Sequence, residues 1–193
     1  MDDFELSDLV AAAHRLQLAW EAIGIEFCFI GGLAVQFWGE PRNTSDVDAT
    51  VWTDFGNERP IVERLLQQLS PRIDEAAGFA MANRVLLVRD DQGIAVDVSL
   101  AAFPFERDLI DRASPQSWRG TSLLVCGPSD LVILKAFANR HRDWQDIRGI
   151  IIRSDAKLDW RIILREVEML SQLKEEPEIL SRLNDLRNEL ARP

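Results

Sequence analysis

Residues 46–52 read Asp-Val-Asp-Ala-Thr-Val-Trp, and this alternation constrains the fold more than any other stretch of the chain. Side chains of an extended strand point to opposite faces in turn. Asp46, Asp48, Thr50 and Trp52 therefore share one face, while Val47, Ala49 and Val51 share the other. Two carboxylates then stand side by side, and adjacent like charges either raise a pKa or call for a cation. An oxygen-rich cluster of this kind suits Mg²⁺ or Mn²⁺. Upstream, Gly31-Gly32 separates a strand-like segment from a helical one. A glycine turn feeding a helix N-terminus offers backbone N–H donors and a close approach without a Cβ. The two features together point to chemistry on a nucleotide phosphate.

Periodicity and turn residues organise the rest. A helix is predicted over 7–23 with Ser7 as its N-cap, a strand over 26–30, a short helix over 33–38, and an amphipathic helix over 58–69 closed by Ser70-Pro71. Segments 84–89 and 94–100 flank Asp90-Asp91-Gln92-Gly93, which is hairpin punctuation. In the second of them Ala95, Asp97 and Ser99 share a face opposite Ile94, Val96, Val98 and Leu100. Asp97 is thus a lone acid in a strand otherwise built for burial. One more strand is expected over 121–126. Beyond it the pattern is helical over 130–153, with Ser129 as N-cap, and then over 159–172 and 178–190. On a continuous helix Lys135, Asn139, Arg142 or Asp143, and Asp146 fall along one stripe. Strands early and helices late predict an α+β chain, residues 1–127 forming an α/β core and 128–193 a C-terminal helical lobe packed on it.

Composition narrows the function. The formal net charge of −10 over 193 residues argues against a broad basic face that tracks a long nucleic acid. A hydrophobic share of 47% with 28% charged residues is that of a globular protein able to bury a core. The start Met1-Asp2-Asp3-Phe4-Glu5 lacks the basic and apolar regions of a secretory leader, and no run is long enough to span a bilayer, which predicts a cytoplasmic chain with no membrane contact. Cys28 and Cys126 lie in apolar segments without C-x-x-C spacing and read as buried thiols. His14 and His141 show no ligand spacing. Lys135 is one of only three lysines, set into the apolar run Leu131-Val-Ile-Leu134 and Ala136-Phe137, where a cation has little reason to sit.

The string Phe29-Ile-Gly-Gly-Leu-Ala-Val, followed by Arg42-x-Thr44-x-Asp46-x-Asp48, resembles the signature of the nucleotidyltransferase superfamily with the polymerase-β-like fold. Residues 130–146, with Lys135, Arg140, Asp143 and Asp146 in order, resemble the helical motif of the AbiEii/AbiGii toxin-type nucleotidyltransferases of abortive-infection and toxin–antitoxin systems. That resemblance implies a mixed sheet flanked by helices and the transfer of a nucleoside monophosphate from a nucleoside triphosphate to an acceptor hydroxyl, with release of pyrophosphate. Carried over by position, Asp46, Asp48 and Asp97 hold two divalent ions, Mg²⁺ or Mn²⁺, and Asp97 also takes the acceptor's proton. Gly31 and Gly32 cradle the triphosphate, Arg42 and Thr44 line it, and Lys135 contacts triphosphate or pyrophosphate as a point charge. Many relatives have Gly-Ser where this chain has Gly-Gly, so a hydroxyl contact to phosphate is missing.

Residue by residue, plainer roles stand beside these. Arg42 can pair with Asp46, Lys135 can lay its stem over the helix surface, and Asp143 and Asp146 can serve the neighbouring arginines. Trp38 and Trp52 fit core packing better than base stacking. The acceptor implied is a tRNA end, a protein or a small molecule, and a cognate antitoxin is a further expected partner. Two rival functions remain: an antibiotic-modifying enzyme, since an acidic pocket suits aminoglycoside polycations, and a catalytically silent nucleotide-binding or interaction module.

Overall fold

In the computed structural model, which describes residues 3–191, the chain runs α1 (Asp3–Ala22), β1 (Phe27–Phe29), α2 (Gly31–Trp38), β2 (Asp46–Trp52), α3 (Glu58–Leu66), β3 (Ser70–Pro71), α4 (Ala76–Asn83), β4 (Val85–Arg89), β5 (Ala95–Ala101), α5 (Pro104–Asp111), β6 (Ser114–Trp118) and β7 (Thr121–Val125), then α6 (Pro128–Ala138), α7 (His141–Ser154), α8 (Trp160–Leu173) and α9 (Glu178–Leu190). Met1 and Asp2, part of the start read for a leader, lie outside the described residues. No helix among the described residues is long and apolar enough to cross a membrane. By its internal contacts the chain divides into two units. One comprises the residues up to Leu33 with Arg42–Cys126, the other Ala34–Pro41 with the residues from Gly127 onward.

The first unit is built on a seven-stranded sheet in the order β3-β4-β5-β2-β1-β7-β6. β2 runs parallel to β5 and β1 to β7, while the other neighbours are antiparallel, so the sheet is mixed. The alternation of sequence becomes an alternation of burial. Val47, Ala49 and Val51 of β2, Val96, Val98 and Leu100 of β5, and Leu86 and Val88 of β4 are all at or below 1% exposure. Phe27 and Phe29 sit opposite Val51 and Ala49 in the register of β1, so they join this apolar face. Trp20 of α1 meets Phe27 edge to face at 5.1 Å, and Phe27 meets Phe29 at 5.5 Å. Each large side chain so buried contributes about 1.5–3 kcal/mol relative to exposure, and this face anchors the sheet. Its reverse carries Asp46, Asp48 and Asp97.

Several local expectations are corrected. Ser7 lies inside α1 and does not cap it. α3 ends at Leu66, short of the expected 69, so Ser70-Pro71 is a short edge strand and not the helix stop, and α4, α5 and β6 escaped the periodicity altogether. β6 contains Pro115, which costs nothing at a sheet edge because no neighbour needs its missing N–H. α4 is short and rich in alanine, and Glu75 and Arg84 flank it in the left-handed region. α5 starts with Pro104 at its first turn, and Glu106 Oε2 accepts the N–H groups of Ala102 at 2.8 Å and Phe103 at 3.0 Å. Proline followed two residues later by glutamate was a legible start signal.

The second unit is helical. α6 begins at Pro128 with Gly127 as N-cap, and Ser129 Oγ instead accepts the N–H of Asp159 at 2.8 Å. The continuous helix expected over 130–153 is broken, because Asn139 adopts φ 55° and closes α6 before Arg140 opens α7. Asparagine is one of the few residues that tolerates this conformation. Its side chain fixes the break: Oδ1 accepts from Trp144 Nε1 at 2.7 Å, and Nδ2 donates to Glu176 Oε2 at 2.9 Å.

Candidate active site

The parallel register of β2 and β5 sets Asp48 directly opposite Asp97. Since Asp46 shares their face, three carboxylates, two on β2 and the third on β5, converge, each half-buried, with ligating oxygens within 4.8 Å of one another. Among the described residues no other group of three or more His, Cys, Asp or Glu side chains meets in this way. Burial pushes the Asp97 carboxyl up, the Arg72 guanidinium draws it back, and Asp46 pushes it up again, so that it settles above the ordinary carboxylate range. A cluster of oxygens whose negative charge is held at such a cost fits a divalent cation, which removes the repulsion by binding all three.

The glycine turn abuts this cluster. Gly31 and Gly32 do not break the chain before a helix; they are the first turn of α2. Asp48 Oδ2 accepts the N–H of Gly32 at 3.1 Å. Gly31 adopts φ +59°, and a Cβ there would lie 1.9 Å from Asp48 Oδ2. At Gly32 a Cβ would lie 2.2 Å from Thr44 Oγ1, the same hydroxyl that donates to Asp46 Oδ1 at 3.1 Å. The second glycine is therefore required by close approach, and the hydroxyl absent from Gly32 is brought to that spot by Thr44. Gly31→Ala should cost about 1–2 kcal/mol in thermal unfolding from the left-handed backbone alone. By displacing Asp48 it should also slow turnover about 100-fold in a pyrophosphate-release assay.

Arg42 is half-buried and donates from Nη1 to the carbonyl of Asn43 at 3.0 Å. Trp52, on the acidic face, carries the Arg107 guanidinium 5.5 Å from its ring centre. A residue that sequence reading passed over stands beside the third acid: Arg72 Nη2 donates to Asp97 Oδ1 at 2.5 Å. Its signal was hidden because Ser70-Pro71 read as a helix stop and nothing local reveals which strand lies two places away.

Lys135 belongs to the second unit. It is 6% exposed, with Nζ 3.1 Å from Asp143 Oδ1 and 2.8 Å from Asp146 Oδ2. Asp143 also accepts from Arg140 Nε at 2.7 Å. Burial pushes the Asp143 carboxyl up, but the hydrogen bond from Arg140 and the charge of Lys135 outweigh it and hold the carboxyl below its ordinary range. These are cross-helix ion pairs between α6 and α7, which the break at Asn139 makes possible. In the same unit Trp38 is buried with Lys157 Nζ 4.8 Å from its ring centre. Cys28 and Cys126 are both buried, and neither is in a disulfide.

A glycine turn lies against clustered acids on a mixed sheet, and the chain as a whole is of the nucleotidyltransferase class. Residues 6–185 match the model of the family described as nucleotidyl transferase of unknown function, DUF2204, and the chain belongs to it. Among solved structures, an antigenic nucleotidyltransferase-like protein from Paracoccidioides brasiliensis is similar at 15% identity and a TM-score of 0.55, over 94% of this chain and 93% of that one. The antibiotic-resistance factor ANT(2'')-Ia is similar at 15% identity and a TM-score of 0.48, over 98% of each chain. The lincosamide antibiotic adenylyltransferase LnuA, in its lincomycin-bound form, is similar at 9% identity and a TM-score of 0.47, over 70% of this chain and 92% of that one. The likeness to the first is one of fold. No curated protein matches the sequence.

Proposed function

We propose that the chain moves a nucleoside monophosphate from a nucleoside triphosphate to an acceptor hydroxyl, and that Asp46, Asp48 and Asp97 hold two divalent cations, Mg²⁺ or Mn²⁺, for this purpose. The observation that carries the reading is the meeting of those three carboxylates within 4.8 Å beside the glycine turn. When bound, such cations neutralise the triphosphate and lower the pKa of the acceptor hydroxyl. The remaining work falls to the chain. The turn at Gly31-Gly32, the Thr44 hydroxyl and Arg42 surround the phosphates, and the Thr44 hydroxyl stands in for the serine of related enzymes. Asp97, the third acid of the cluster, takes the acceptor's proton. The acceptor oxygen forms its bond to the α-phosphorus as the bond from that phosphorus to the β-phosphate bridge breaks, and pyrophosphate leaves with the electron pair. For Lys135, the pairing with Asp143 and Asp146 supports a positioning role in joining α6 to α7 in place of the triphosphate contact that the family resemblance suggests.

The string from Lys135 to Asp146 supports the toxin-type AbiEii branch, with a tRNA end or a protein hydroxyl as acceptor and a cognate antitoxin as partner. A second reading, a polycationic small molecule as acceptor, is favoured by the net charge of −10. One experiment separates them. The purified protein is incubated with Mg²⁺ or Mn²⁺ and each α-labelled triphosphate, in parallel with total tRNA, cell extract and a panel of aminoglycosides. Label on RNA or protein with pyrophosphate release supports the toxin branch, and label on an aminoglycoside supports the second. Triphosphate binding without turnover on any acceptor would make the chain a silent module and end the proposal.

A further inference from the structure

Arg72 follows the two-residue edge strand β3, and its backbone N–H donates to the carbonyl of Leu87 at 3.0 Å. Leu87 pairs in turn with Asp97, which pairs with Asp48. One row across the sheet thus reads Arg72, Leu87, Asp97, Asp48, and in such a row the side chains project to the same face. Arg72 lies over Leu87 to reach Asp97 Oδ1 at 2.5 Å, with 20% of the Arg72 side chain and 32% of the Asp97 side chain exposed. A long cationic side chain has been led past an apolar neighbour to the one acid of β5, and that acid is a member of the triad.

We propose that Arg72 is a second phosphate-binding residue of this site and the built-in competitor of its cations: it neutralises Asp97 when the site is empty, then releases that carboxylate and takes up the triphosphate. The inference rests on the metal-holding reading of Asp46, Asp48 and Asp97. Its logic is charge balance. Without cations, three carboxylates crowd one another and the nearest guanidinium offsets part of their repulsion. Two divalent cations outweigh three carboxylates, so the guanidinium beside them no longer finds its counter-ion there. An incoming triphosphate supplies it, and the planar fork of arginine matches phosphate oxygens in pairs. Metal and triphosphate binding are therefore coupled through one side chain.

The test is Mn²⁺ binding, followed by the electron paramagnetic resonance signal of the free ion, with and without inorganic tripolyphosphate, which makes the unknown base irrelevant. Arg72→Gln should tighten Mn²⁺ binding about 3- to 10-fold in the absence of tripolyphosphate, because the competing charge is gone. At saturating Mn²⁺ it should weaken tripolyphosphate about 10-fold, the loss of a bidentate charge-assisted contact. A pair that merely fastened the sheet edge would lower the melting temperature and leave both affinities alone. Unchanged or weaker Mn²⁺ binding by folded Arg72→Gln overturns the inference while the triad reading stands; a wild-type protein that binds no Mn²⁺ under either condition overturns both. If Arg72→Gln does not melt cooperatively, Arg72→Lys decides. It should keep the wild-type Mn²⁺ affinity and bind tripolyphosphate about 3-fold more weakly for want of the fork, and equal tripolyphosphate affinity would overturn the inference.

Discussion

Asp48→Asn should abolish nucleotidyl transfer, slowing pyrophosphate release by about 10³-fold or more, while the protein melts at or slightly above the wild-type temperature. The asparagine Oδ1 can still accept the N–H of Gly32, which Asp48 engages at 3.1 Å, so the turn keeps its tether. What disappears is one negative charge from a cluster whose members repel one another, and removing it relieves strain in the cation-free protein. The separation of effects is the informative part. A variant that is inactive and unfolded would say only that the residue matters, whereas an inactive variant of undiminished stability assigns the carboxylate to chemistry. Activity within tenfold of wild type would remove Asp48 from the site, and with it the two-cation reading.

Lys135→Ala should act on stability. Urea unfolding should show a loss of about 3–5 kcal/mol, the cost of leaving buried carboxylates without their cation. Against a total of about 5–15 kcal/mol for a typical domain, such a loss shifts the midpoint well outside error. Neutralising the whole group with Lys135→Met, Asp143→Asn and Asp146→Asn together should recover much of it, because no charge is then stranded. The pH dependence carries a sign. The folded carboxyl of Asp143 is held below its ordinary 3.8, so as pH falls the unfolded chain takes up the proton first. The contribution is complete above the ordinary range and drains away through the lower folded pKa, so that wild type and Asp143→Asn should converge in stability under acid. An unfolding curve unaltered by Lys135→Ala, together with a raised KM for the triphosphate, would return Lys135 to the substrate.

These two residues mark the limits of what the chain reveals when read linearly. Asp46 and Asp48 were legible as neighbours because they stand two apart in an alternating strand. Asp97 was legible as an anomaly, an acid among valines, but its meeting with them depends on β2 and β5 pairing in parallel across the intervening α3, β3, α4 and β4. Such crossover registers are set by burial of the apolar face, and no local pattern encodes them. Lys135 was conspicuous for the same reason as Asp97, a charge in an apolar run. Its stripe assumed an unbroken helix, and the left-handed turn at Asn139 folds α7 back so that the same acids meet Lys135 across two helices. Arg72 left no mark at all, since its importance comes from a partner 25 positions away.

The sequence by itself determined which face of β2 and β5 is apolar, that a glycine pair stands between a strand and a helical segment, and that acids occupy the opposite face of those two strands. All of these follow from the fixed direction of side chains along an extended or helical backbone, a property of a few consecutive residues. Only the tertiary structure decided that Asp48 faces Asp97, that Thr44 fills the space beside Gly32, and that Arg72 and Lys135 each find a carboxylate. Those contacts require distant segments to be brought into register, and the registers are chosen by the packing of the whole core.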